Sequence, residues 1–309
     1  MRLPILAILG PTATGKSALG IELALKHGGE IISCDSTAVY RGFDIGTDKV
    51  PAAQRRGIAH HLIDVVEPTD EYTAARYTRD AVAAIEGIYA RGHWPILVGG
   101  TGLYYRALVR GLFPGPGADA RMRARLEAIA TRHGVEFLHR MLRRIDPASA
   151  TRILPRDLKR IVRALEVYFL TGKPLTDHFA STVSPLSGYE TMAVALSPPM
   201  PLIAERVEKR VDAQFEQGLL DEIRGLIARG IPETARPFGG LVYRQALEHL
   251  HGLRGEAETR ALIARANRHY ARRQLIWFRK EPNLLWLQTS GEEPATLAAV
   301  ESLLAARVC

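Results

Sequence analysis

The sequence predicts an α/β fold, in which helices flank a parallel sheet and an all-helical domain is inserted into the chain. Short apolar runs alternate with amphipathic helical segments, the first such pair enclosing a glycine-rich loop, and a Pro/Gly stretch at 113–117 opens a long segment without strands. The predicted division is a first core part at 1–117, a helical insertion at 118–188, and a second core part with basic helices at 189–309.

A phosphate-binding P-loop is the first feature of the chain. An apolar run at 3–9 is predicted to be a buried strand, and 17–26 to be a helix ended by glycines. Between them the chain fits G-x-x-x-x-G-K-[ST], with Gly10, Pro11, Thr12, Ala13, Thr14, Gly15, Lys16 and Ser17. Backbone N–H groups and the helix dipole would hold an anion, Lys16 would supply charge, and Ser17 would bind Mg²⁺. The core is therefore predicted to be P-loop NTPase-like.

Composition limits the class of protein. The chain has 309 residues, of which 47% are hydrophobic, which suffices for one or two globular domains. No apolar run reaches membrane length, and Cys34 and Cys309 have no metal-binding spacing, so we expect a protein of a reducing compartment. A net charge of +8 and a pI of about 9.6 suggest a polyanionic partner, although many soluble enzymes are also basic.

A candidate catalytic carboxylate follows the second predicted strand, residues 30–34. Asp35 and Ser36 stand at the carboxyl end of that strand, where parallel sheets place ligand-binding groups. Two interpretations of Asp35 stay open here: a base or metal ligand opposite the P-loop, or the N-cap of a helix. Adjacent histidines at His60 and His61 point in different directions on a helix or a strand, so we expect no two-histidine metal site.

The third predicted strand, residues 94–98, follows an amphipathic helix at 72–90 and runs into Gly-Gly-Thr-Gly at 99–102. ATPases usually place Asp or Glu at this strand end to hold Mg²⁺ and organise water. The absence of an acid argues against an ordinary ATPase and leaves a kinase-like or group-transfer site. The glycines either expose backbone N–H groups and the Thr101 hydroxyl to the site or serve the turn geometry alone.

Helices and no convincing strand are predicted over the insertion, at 119–132, 134–145 and 157–170. In the last of these, Ile161, Val162, Leu165 and Phe169 are expected to form the apolar face. The basic residues expected on exposed faces are Arg121, Arg123, Arg125, Lys159, Arg160 and Arg163. They form either a solvated surface or a clamp for nucleic acid.

The chain then returns to the core through a fourth strand at 190–196 and a helix at 201–229. Arg206 and Arg210 lie one turn apart on this helix, and they either contact phosphate or pair with acidic neighbours on the same helix. Arginines alternate with aromatic residues over 260–279, a pattern that suits an RNA backbone and unstacked bases. Residues 284–287 are predicted to be an edge strand.

In the order and spacing of its motifs the chain resembles the tRNA dimethylallyltransferases, also called tRNA isopentenyltransferases, over nearly its whole length. The motifs that carry the resemblance are GPTATGKS at 10–17, SCDS at 33–36, VYRGFDIGTDK at 39–49, HHLID at 60–64, LVGGTGLYYRAL at 97–108, DLKRIVRALEVYFLTGKPL at 157–175, RVEKRVDAQFEQGLLDEI at 206–223 and NRHYARRQLIWFR at 267–279.

The resemblance implies transfer of a dimethylallyl group from dimethylallyl diphosphate to N6 of adenosine 37 in tRNA, with release of diphosphate. It implies that the P-loop binds the diphosphate of this donor and not ATP, with Mg²⁺ as cofactor on Ser17. The catalytic residues would be Lys16, Asp35, Thr101 and Arg210, with Asp35 as the general base. A flipped adenine is expected, because N6 must leave the anticodon-loop stack to reach the site.

The resemblance also implies a set of tRNA-binding residues and a cellular setting. The tRNA-binding residues would be Asp35, Ser36, Thr37, Ala38, Thr101, Arg123, Lys159, Arg160 and Arg163. We expect a cytoplasmic monomer that binds the anticodon stem-loop and no membrane, with the insertion as a tRNA clamp.

Three positions depart from the family pattern, and two other classes of function, a small-molecule enzyme and a non-enzymatic RNA-binding protein, stay open. Ala38 and Lys159 stand where Gln is usual, and Val242 where Gly is usual. An adenylate isopentenyltransferase or a nucleotide kinase could use the same fold, although the basic insertion favours RNA. A non-enzymatic RNA-binding protein is disfavoured by the intact Lys16, Ser17 and Asp35.

Overall fold

The computed structural model describes residues 4–308 and contains one six-stranded parallel sheet. Its strands are β1 (Ile5–Leu9), β2 (Gly29–Cys34), β3 (His60–His61), β4 (Trp94–Gly99), β5 (Thr191–Leu196) and β6 (Leu284–Leu287). They are ordered β3-β2-β4-β1-β5-β6. The central strands β1, β2 and β4 are buried along their whole length, as expected for apolar runs in a sheet covered on both faces. The predicted α/β fold class is confirmed.

Thirteen α-helices lie within the described residues. They are α1 (Lys16–His27), α2 (Ala74–Ala90), α3 (Gly102–Arg110), α4 (Ala120–His133), α5 (Val135–Ile145), α6 (Pro147–Arg152), α7 (Leu158–Thr171), α8 (Leu175–Phe179), α9 (Met200–Glu216), α10 (Leu219–Ala228), α11 (Leu241–Leu250), α12 (Glu256–Phe278) and α13 (Pro294–Val308). Within residues 4–308 no helix is long and apolar enough to cross a lipid bilayer.

Two parts of the predicted element order were wrong or incomplete. The single helix expected over 201–229 is two helices, α9 and α10, because Gly218 between them adopts a left-handed conformation with φ 92°. Helices α6, α8, α11 and α13 and the two-residue strand β3 were not predicted. The other predicted strands and long helices start and end within about four residues of their expected positions.

The chain folds as two compact units, of which the first comprises residues up to Val109 and from Pro185 onward. This unit holds the sheet and has a hydrophobic core on each face of it. Alternate side chains of β1 divide between the two cores: Ile5, Ala7 and Leu9 enter one, and Leu6 and Ile8 enter the other. Every β1 side chain is therefore buried, and packing in both cores holds the carboxyl end of β1, where the P-loop begins.

The second unit, Arg110–Ser184, is helical and has its own core of α4, α5 and α7 side chains. Glu166 of α7 is fully buried in it, and its carboxylate accepts hydrogen bonds from Arg123 Nε at 2.8 Å and Arg163 Nη1 at 2.6 Å. Burial alone would raise the pKa of Glu166, but the hydrogen bonds from these two arginines outweigh it, so the pKa is lowered.

Two of the basic residues expected on exposed faces of the second unit are only partly exposed. Arg123 and Arg163 have 40% and 30% of their side chains exposed, and both are tied to the buried Glu166 carboxylate. Phe169, expected on the apolar face of α7, is 44% exposed. Arg121, Arg125, Lys159 and Arg160 are exposed, as predicted.

A buried carboxylate stabilises the amino end of β2. Glu30 accepts hydrogen bonds from Arg91 Nη2 at 2.7 Å, and its carboxylate oxygens lie 2.6 Å from His61 Nε2 and 2.5 Å from His93 Nδ1. The hydrogen bonds from Arg91 dominate, and despite burial they and the two histidines lower the pKa of Glu30 to about 2. Because this pKa lies below its ordinary value, Glu30 contributes stability above pH 4.5 that is lost as the pH falls toward 2.

Glu30→Gln is therefore expected to lower the free energy of unfolding at pH 7 by up to about 3 kcal/mol. The difference from the wild type should shrink as the pH falls from about 5, and urea unfolding followed by circular dichroism at several pH values measures it. Glu86→Gln, at an exposed position on α2, is the control and should change stability by less than about 0.5 kcal/mol. A Glu30→Gln deficit that does not vary with pH would contradict the prediction.

Candidate active site

The P-loop joins the carboxyl end of β1 to the first turn of α1. Its backbone curls through positive φ angles at Gly10 (138°), Ala13 (62°) and Gly15 (79°). A Cβ atom on Gly10 would lie 2.6 Å from the carbonyl oxygen of Leu196, so the close approach of β5 requires glycine there. No side chain caps the amino end of α1. The first N–H groups of α1 therefore remain available to an anion.

Lys16 lies half-buried at the start of α1, where its ammonium donates a hydrogen bond to the Pro11 carbonyl oxygen. Burial, and secondarily the Arg210 guanidinium, lower the pKa of Lys16 to about 7, although Asp35 and Glu292 act in the opposite direction. Near neutral pH this lysine is therefore close to half protonated, and an anion bound in the loop would favour its charged form.

Two arginines of α9 reach the P-loop region. Arg210 Nη1 donates to Thr12 Oγ1 at 2.8 Å and to Asp48 Oδ2 at 3.1 Å, and Arg206 Nη1 donates to Glu292 Oε2 at 2.8 Å. Neither arginine makes an ion pair with an acidic neighbour of its own helix within the described residues. The intrahelical alternative from the sequence is therefore excluded for both.

Asp48 is a residue that the sequence analysis did not single out. Its carboxylate accepts from Arg210 on one oxygen and from Gln214 Nε2 at 2.9 Å on the other. Desolvation is the main influence on Asp48 and raises its pKa, although Arg210 and Gln214 act in the opposite direction. Asp48 thus fixes the direction in which the Arg210 guanidinium approaches Thr12. The motif at 39–49 contains Asp48, but nothing local marks the aspartate as a partner of α9.

The loop that carries Asp48 is itself held by α10 and α11. Glu222 Oε2 accepts from the backbone N–H groups of Asp44 and Ile45, each at 2.9 Å. Tyr243 donates to the other oxygen of Glu222 at 2.5 Å and accepts from the Gly46 N–H at 3.0 Å. A Cβ atom on Gly46 would lie 2.6 Å from the Tyr243 ring. A residue larger than glycine at position 46 would clash with the Tyr243 ring. These contacts with Glu222 and Tyr243 hold the 44–48 loop in place.

Asp35 follows β2, and its two carboxylate oxygens have different surroundings. Oδ1 accepts from the Thr37 N–H at 2.8 Å and from Thr37 Oγ1 at 2.6 Å, which is a capping arrangement around a turn. Oδ2 makes no hydrogen bond among residues 4–308, and Asp35 lines the cavity described below. The capping interpretation therefore accounts for one oxygen and leaves the other available as a base.

The Gly-Gly-Thr-Gly turn after β4 lies against the end of β2. A Cβ atom on Gly99 would be 2.2 Å from the Cys34 carbonyl oxygen, so glycine is needed for this approach. Thr101 donates its N–H to the same oxygen at 3.1 Å, and its hydroxyl accepts the Ser36 N–H at 3.0 Å. The hydroxyl of Tyr270, on α12, lies near Thr101, and burial raises the pKa of Tyr270 to about 12. Both interpretations of this motif therefore apply: Gly99 is needed for the turn, and the Thr101 hydroxyl is held in a defined position.

Gln274 of α12 joins this turn to the P-loop and was also missed. Its buried side chain accepts the Thr12 N–H at 2.9 Å through Oε1 and donates to the Gly100 carbonyl oxygen at 2.9 Å through Nε2. The only sequence signal was its position inside an arginine-rich helix, which suggested RNA contact. A buried amide that satisfies two loops at once fixes their separation.

Many of these groups line one cavity of about 540 Å³ in the first unit, although the predicted site residues Gly10, Pro11 and Thr101 are not among its lining residues. It brings together most of the predicted site residues there: Thr12, Ala13, Thr14, Gly15, Lys16, Ser17, Asp35, Ser36, Thr37, Ala38 and Arg210. Pro237, Leu241 and Val242 add apolar wall. The predicted residues Arg123, Lys159, Arg160 and Arg163 belong to the second unit.

The donor set suits Mg²⁺ only in company with a phosphate ligand. Ser17 is exposed, and its hydroxyl makes no hydrogen bond within the part of the chain that the structure describes. The same part contains no group of three His, Cys, Asp or Glu side chains that could hold a metal ion alone. Mg²⁺ usually keeps several waters and binds through few protein oxygens plus substrate phosphates, which this arrangement permits.

Comparison with known proteins gives concordant matches. The family model described as IPP transferase matches residues 38–281. The chain is 45% identical to a tRNA dimethylallyltransferase of Solibacter usitatus, with 94% of this chain and 95% of the relative covered. It is 43% identical to one of Geobacter metallireducens, with 96% of each covered.

Solved structures resemble the fold as well. A tRNA isopentenylpyrophosphate transferase of Bacillus halodurans is 36% identical with a TM-score of 0.73, over 99% of this chain and 96% of that one. A eukaryotic dimethylallyltransferase, whose structures are described as acting on tRNA, is 28% identical with a TM-score of 0.81, over 97% of this chain and 77% of that one.

Because the pKa of Lys16 is about 7, anion binding at pH 8 is expected to be coupled to proton uptake. Calorimetric titration with inorganic diphosphate in buffers of different ionisation enthalpy measures the number of protons taken up. The wild type should take up close to one proton more than Lys16→Arg, whose guanidinium is always charged. Above pH 7 the affinity of the wild type should fall up to about tenfold per pH unit relative to this variant. Equal uptake by both proteins would contradict the prediction.

Proposed function

This chain belongs to the IPP transferase family, and we propose that it is a tRNA dimethylallyltransferase. The proposed reaction transfers the dimethylallyl group of dimethylallyl diphosphate to N6 of adenosine 37 in tRNA and releases diphosphate. The observation that carries the proposal is the free Oδ2 of Asp35 in the same cavity as a P-loop whose first α1 N–H groups are uncapped. A general base and an anion site side by side are what such a transfer requires.

The P-loop would bind the diphosphate of the donor. Its backbone N–H groups and the amino end of α1 would face the anion, with the charges of Lys16 and Arg210 beside them. Arg210 already contacts Thr12 in the loop and is directed there by Asp48. Mg²⁺, when bound at Ser17 and the diphosphate, would neutralise charge that develops on the leaving group.

The chemical step moves one bond and one proton. The bond between the allylic carbon and the diphosphate oxygen breaks, and diphosphate leaves with the electron pair. Adenine N6 forms a new bond to that carbon, and its proton passes to Asp35 Oδ2. The hydrogen bonds from Thr37 to Oδ1 hold the carboxylate in place during this transfer. Thr101, hydrogen-bonded to Ser36 and near Tyr270, would orient the adenine or the donor.

The second unit would serve as the clamp for the anticodon stem. Duplex RNA is recognised by shape and phosphate contacts, and exposed basic helices supply both. Lys159 and Arg160 are the candidates on α7, because both are exposed and, among the described residues, only Arg160 has an acidic partner, Asp157 at 3.5 Å. Arg123 and Arg163 would stabilise the helices of the clamp through their hydrogen bonds to the buried Glu166.

A prenyl-transfer assay with radiolabelled donor, comparing tRNA and AMP as acceptors, tests the proposed function. Label should enter tRNA and not AMP. Label in AMP alone would indicate an adenylate isopentenyltransferase, and label in neither would contradict the proposal.

Within this assay, the variants Asp35→Asn and Asp35→Ala distinguish a general-base role of Asp35 from a purely capping role. Asn keeps an oxygen that can accept from Thr37 but cannot take a proton, so both variants should lose about 10²–10⁴-fold in turnover. Affinity for tRNA should stay within about twofold, as measured by filter binding. If Asn retains wild-type turnover while Ala loses it together with stability, Asp35 is a structural cap only.

Replacing Lys159 and Arg160 together by Ala should raise the dissociation constant for tRNA. The slope of log affinity against log salt should fall by a little under one unit for each phosphate group that the variant no longer neutralises, while affinity for inorganic diphosphate stays constant. Arg143→Ala with Arg144→Ala removes the same charge from exposed positions on α5 and is the matched control. Equal effects of the two pairs would mean that net charge alone, and not α7, governs tRNA affinity.

A further inference from the structure

The segment between β6 and α13 crosses the P-loop and brings a carboxylate against it. Gly291 donates its N–H to the Thr14 carbonyl oxygen at 2.8 Å. A Cβ atom on Gly291 would lie 2.2 Å from the Gly15 carbonyl oxygen, and one on Gly15 would lie 2.2 Å from Glu292 Oε2. The two glycines therefore allow a backbone-to-backbone contact that leaves the Glu292 carboxylate touching the phosphate-binding loop.

This carboxylate is held in place by defined partners. Glu292 Oε2 accepts from Arg206 Nη1 at 2.8 Å and from Ser290 Oγ at 2.9 Å. Arg206 also donates to Ser290 Oγ at 3.2 Å, so the three side chains form a closed triangle. Burial would raise the pKa of Glu292, but hydrogen bonds from Arg206 and Ser290 outweigh it and lower the pKa. Glu292 is therefore a charged carboxylate at neutral pH.

An acidic group beside an anion site has an electrostatic consequence. Four positive contributions converge on the loop: the amino end of α1, Lys16, Arg206 and Arg210. Glu292 is close enough to act on the Lys16 ammonium and to line the same cavity. Glu292 also favours the protonated form of Lys16. Once Lys16 is protonated, the negative charge of Glu292 weakens the attraction of the loop for any anion that binds there.

That weakening suits a reaction whose product is itself a strong anion. Released diphosphate carries at least the charge of the donor's diphosphate, and it would meet the same N–H groups and cations. Without an opposing charge, the product would leave slowly and limit turnover. Glu292 opposes the cations without occupying an N–H group of the loop, because its hydrogen bonds go to Arg206 and Ser290.

We propose that Glu292 is a positioning and affinity-setting residue: it holds Arg206 beside the P-loop and lowers the affinity of the loop for diphosphate, so that the product is released. The inference rests on the proposed function for the identity of the anion. It assigns Glu292 no part in breaking or forming bonds. The competing role is a purely structural one, in which Glu292 only fastens the 290–293 segment to the loop.

Binding of inorganic diphosphate to the full-length protein, measured by calorimetry at pH 6 and low salt, where Lys16 is largely protonated, tests the inference. Glu292→Gln should bind about tenfold more tightly, because one nearby negative charge is removed. Arg206→Gln should bind more weakly by a similar factor, since the carboxylate then acts unopposed. The double variant should return to within about threefold of the wild type.

Comparing steady-state with single-turnover rates distinguishes an effect on diphosphate release from an effect on the transfer step. In Glu292→Gln the steady-state kcat with tRNA should fall several-fold, while the rate of a single turnover does not fall. Glu301→Gln changes the net charge equally on α13, where Glu301 pairs with Lys26 at 2.9 Å, and it should alter neither measurement. Glu292→Asp keeps the charge, so its diphosphate affinity should stay within about threefold of the wild type even if packing is loosened.

The outcomes bear on different claims. Unchanged or weaker diphosphate binding by a folded Glu292→Gln protein would overturn the inference, and so would a single-turnover rate that falls in step with kcat. If Glu292→Gln does not fold, equal weakening of binding by Glu292→Asp and Arg206→Gln would overturn it instead. A wild type that binds no diphosphate would overturn the proposed function of the P-loop itself.

Discussion

The uncapped backbone N–H groups of the P-loop are the feature on which the site depends. The backbone curls through Gly10, Ala13 and Gly15, a conformation in which successive N–H groups can face one anion, and side chains and backbone from elsewhere in the chain hold it in place. The support comes from three distant elements. Gln274 of α12 binds the Thr12 N–H, Gly291 binds the Thr14 carbonyl oxygen, and Arg210 of α9 binds the Thr12 hydroxyl.

A second layer of contacts supports those that touch the loop. Arg210 is directed by Asp48, and the loop that carries Asp48 is fixed by Glu222 and Tyr243. On the other side, Gln274 also holds Gly100, which precedes Thr101. The phosphate loop and the Thr101 turn therefore belong to one hydrogen-bonded frame, and Ser36, which follows Asp35, is bonded to Thr101. Such a frame matches the need of group transfer for reactants held in fixed positions.

Charge in both units is organised around buried or constrained carboxylates. Glu166 orders two arginines inside the second unit, Glu30 orders one arginine and two histidines at the amino end of β2, and Glu292 orders Arg206 beside the P-loop. In each case an arginine that looks free in the sequence has a fixed partner. The net charge of +8 therefore overstates the number of cations available to RNA, and the exposed Lys159 and Arg160 are better candidates than Arg123 and Arg163, which are paired with Glu166.

The sequence by itself determined the α/β class, the position of the P-loop, the strand that precedes Asp35 and the turn that carries Thr101, because each is marked by residues close together in the chain. Tertiary structure alone decided the partners: Gln274 meets Thr12 across 262 positions, Arg210 meets Asp48 across 162, and Arg206 meets Glu292 across 86. Hydrophobic periodicity and local motifs do not predict which residues far apart in the chain come into contact. A charged side chain becomes structural or available only when folding places its counter-charge.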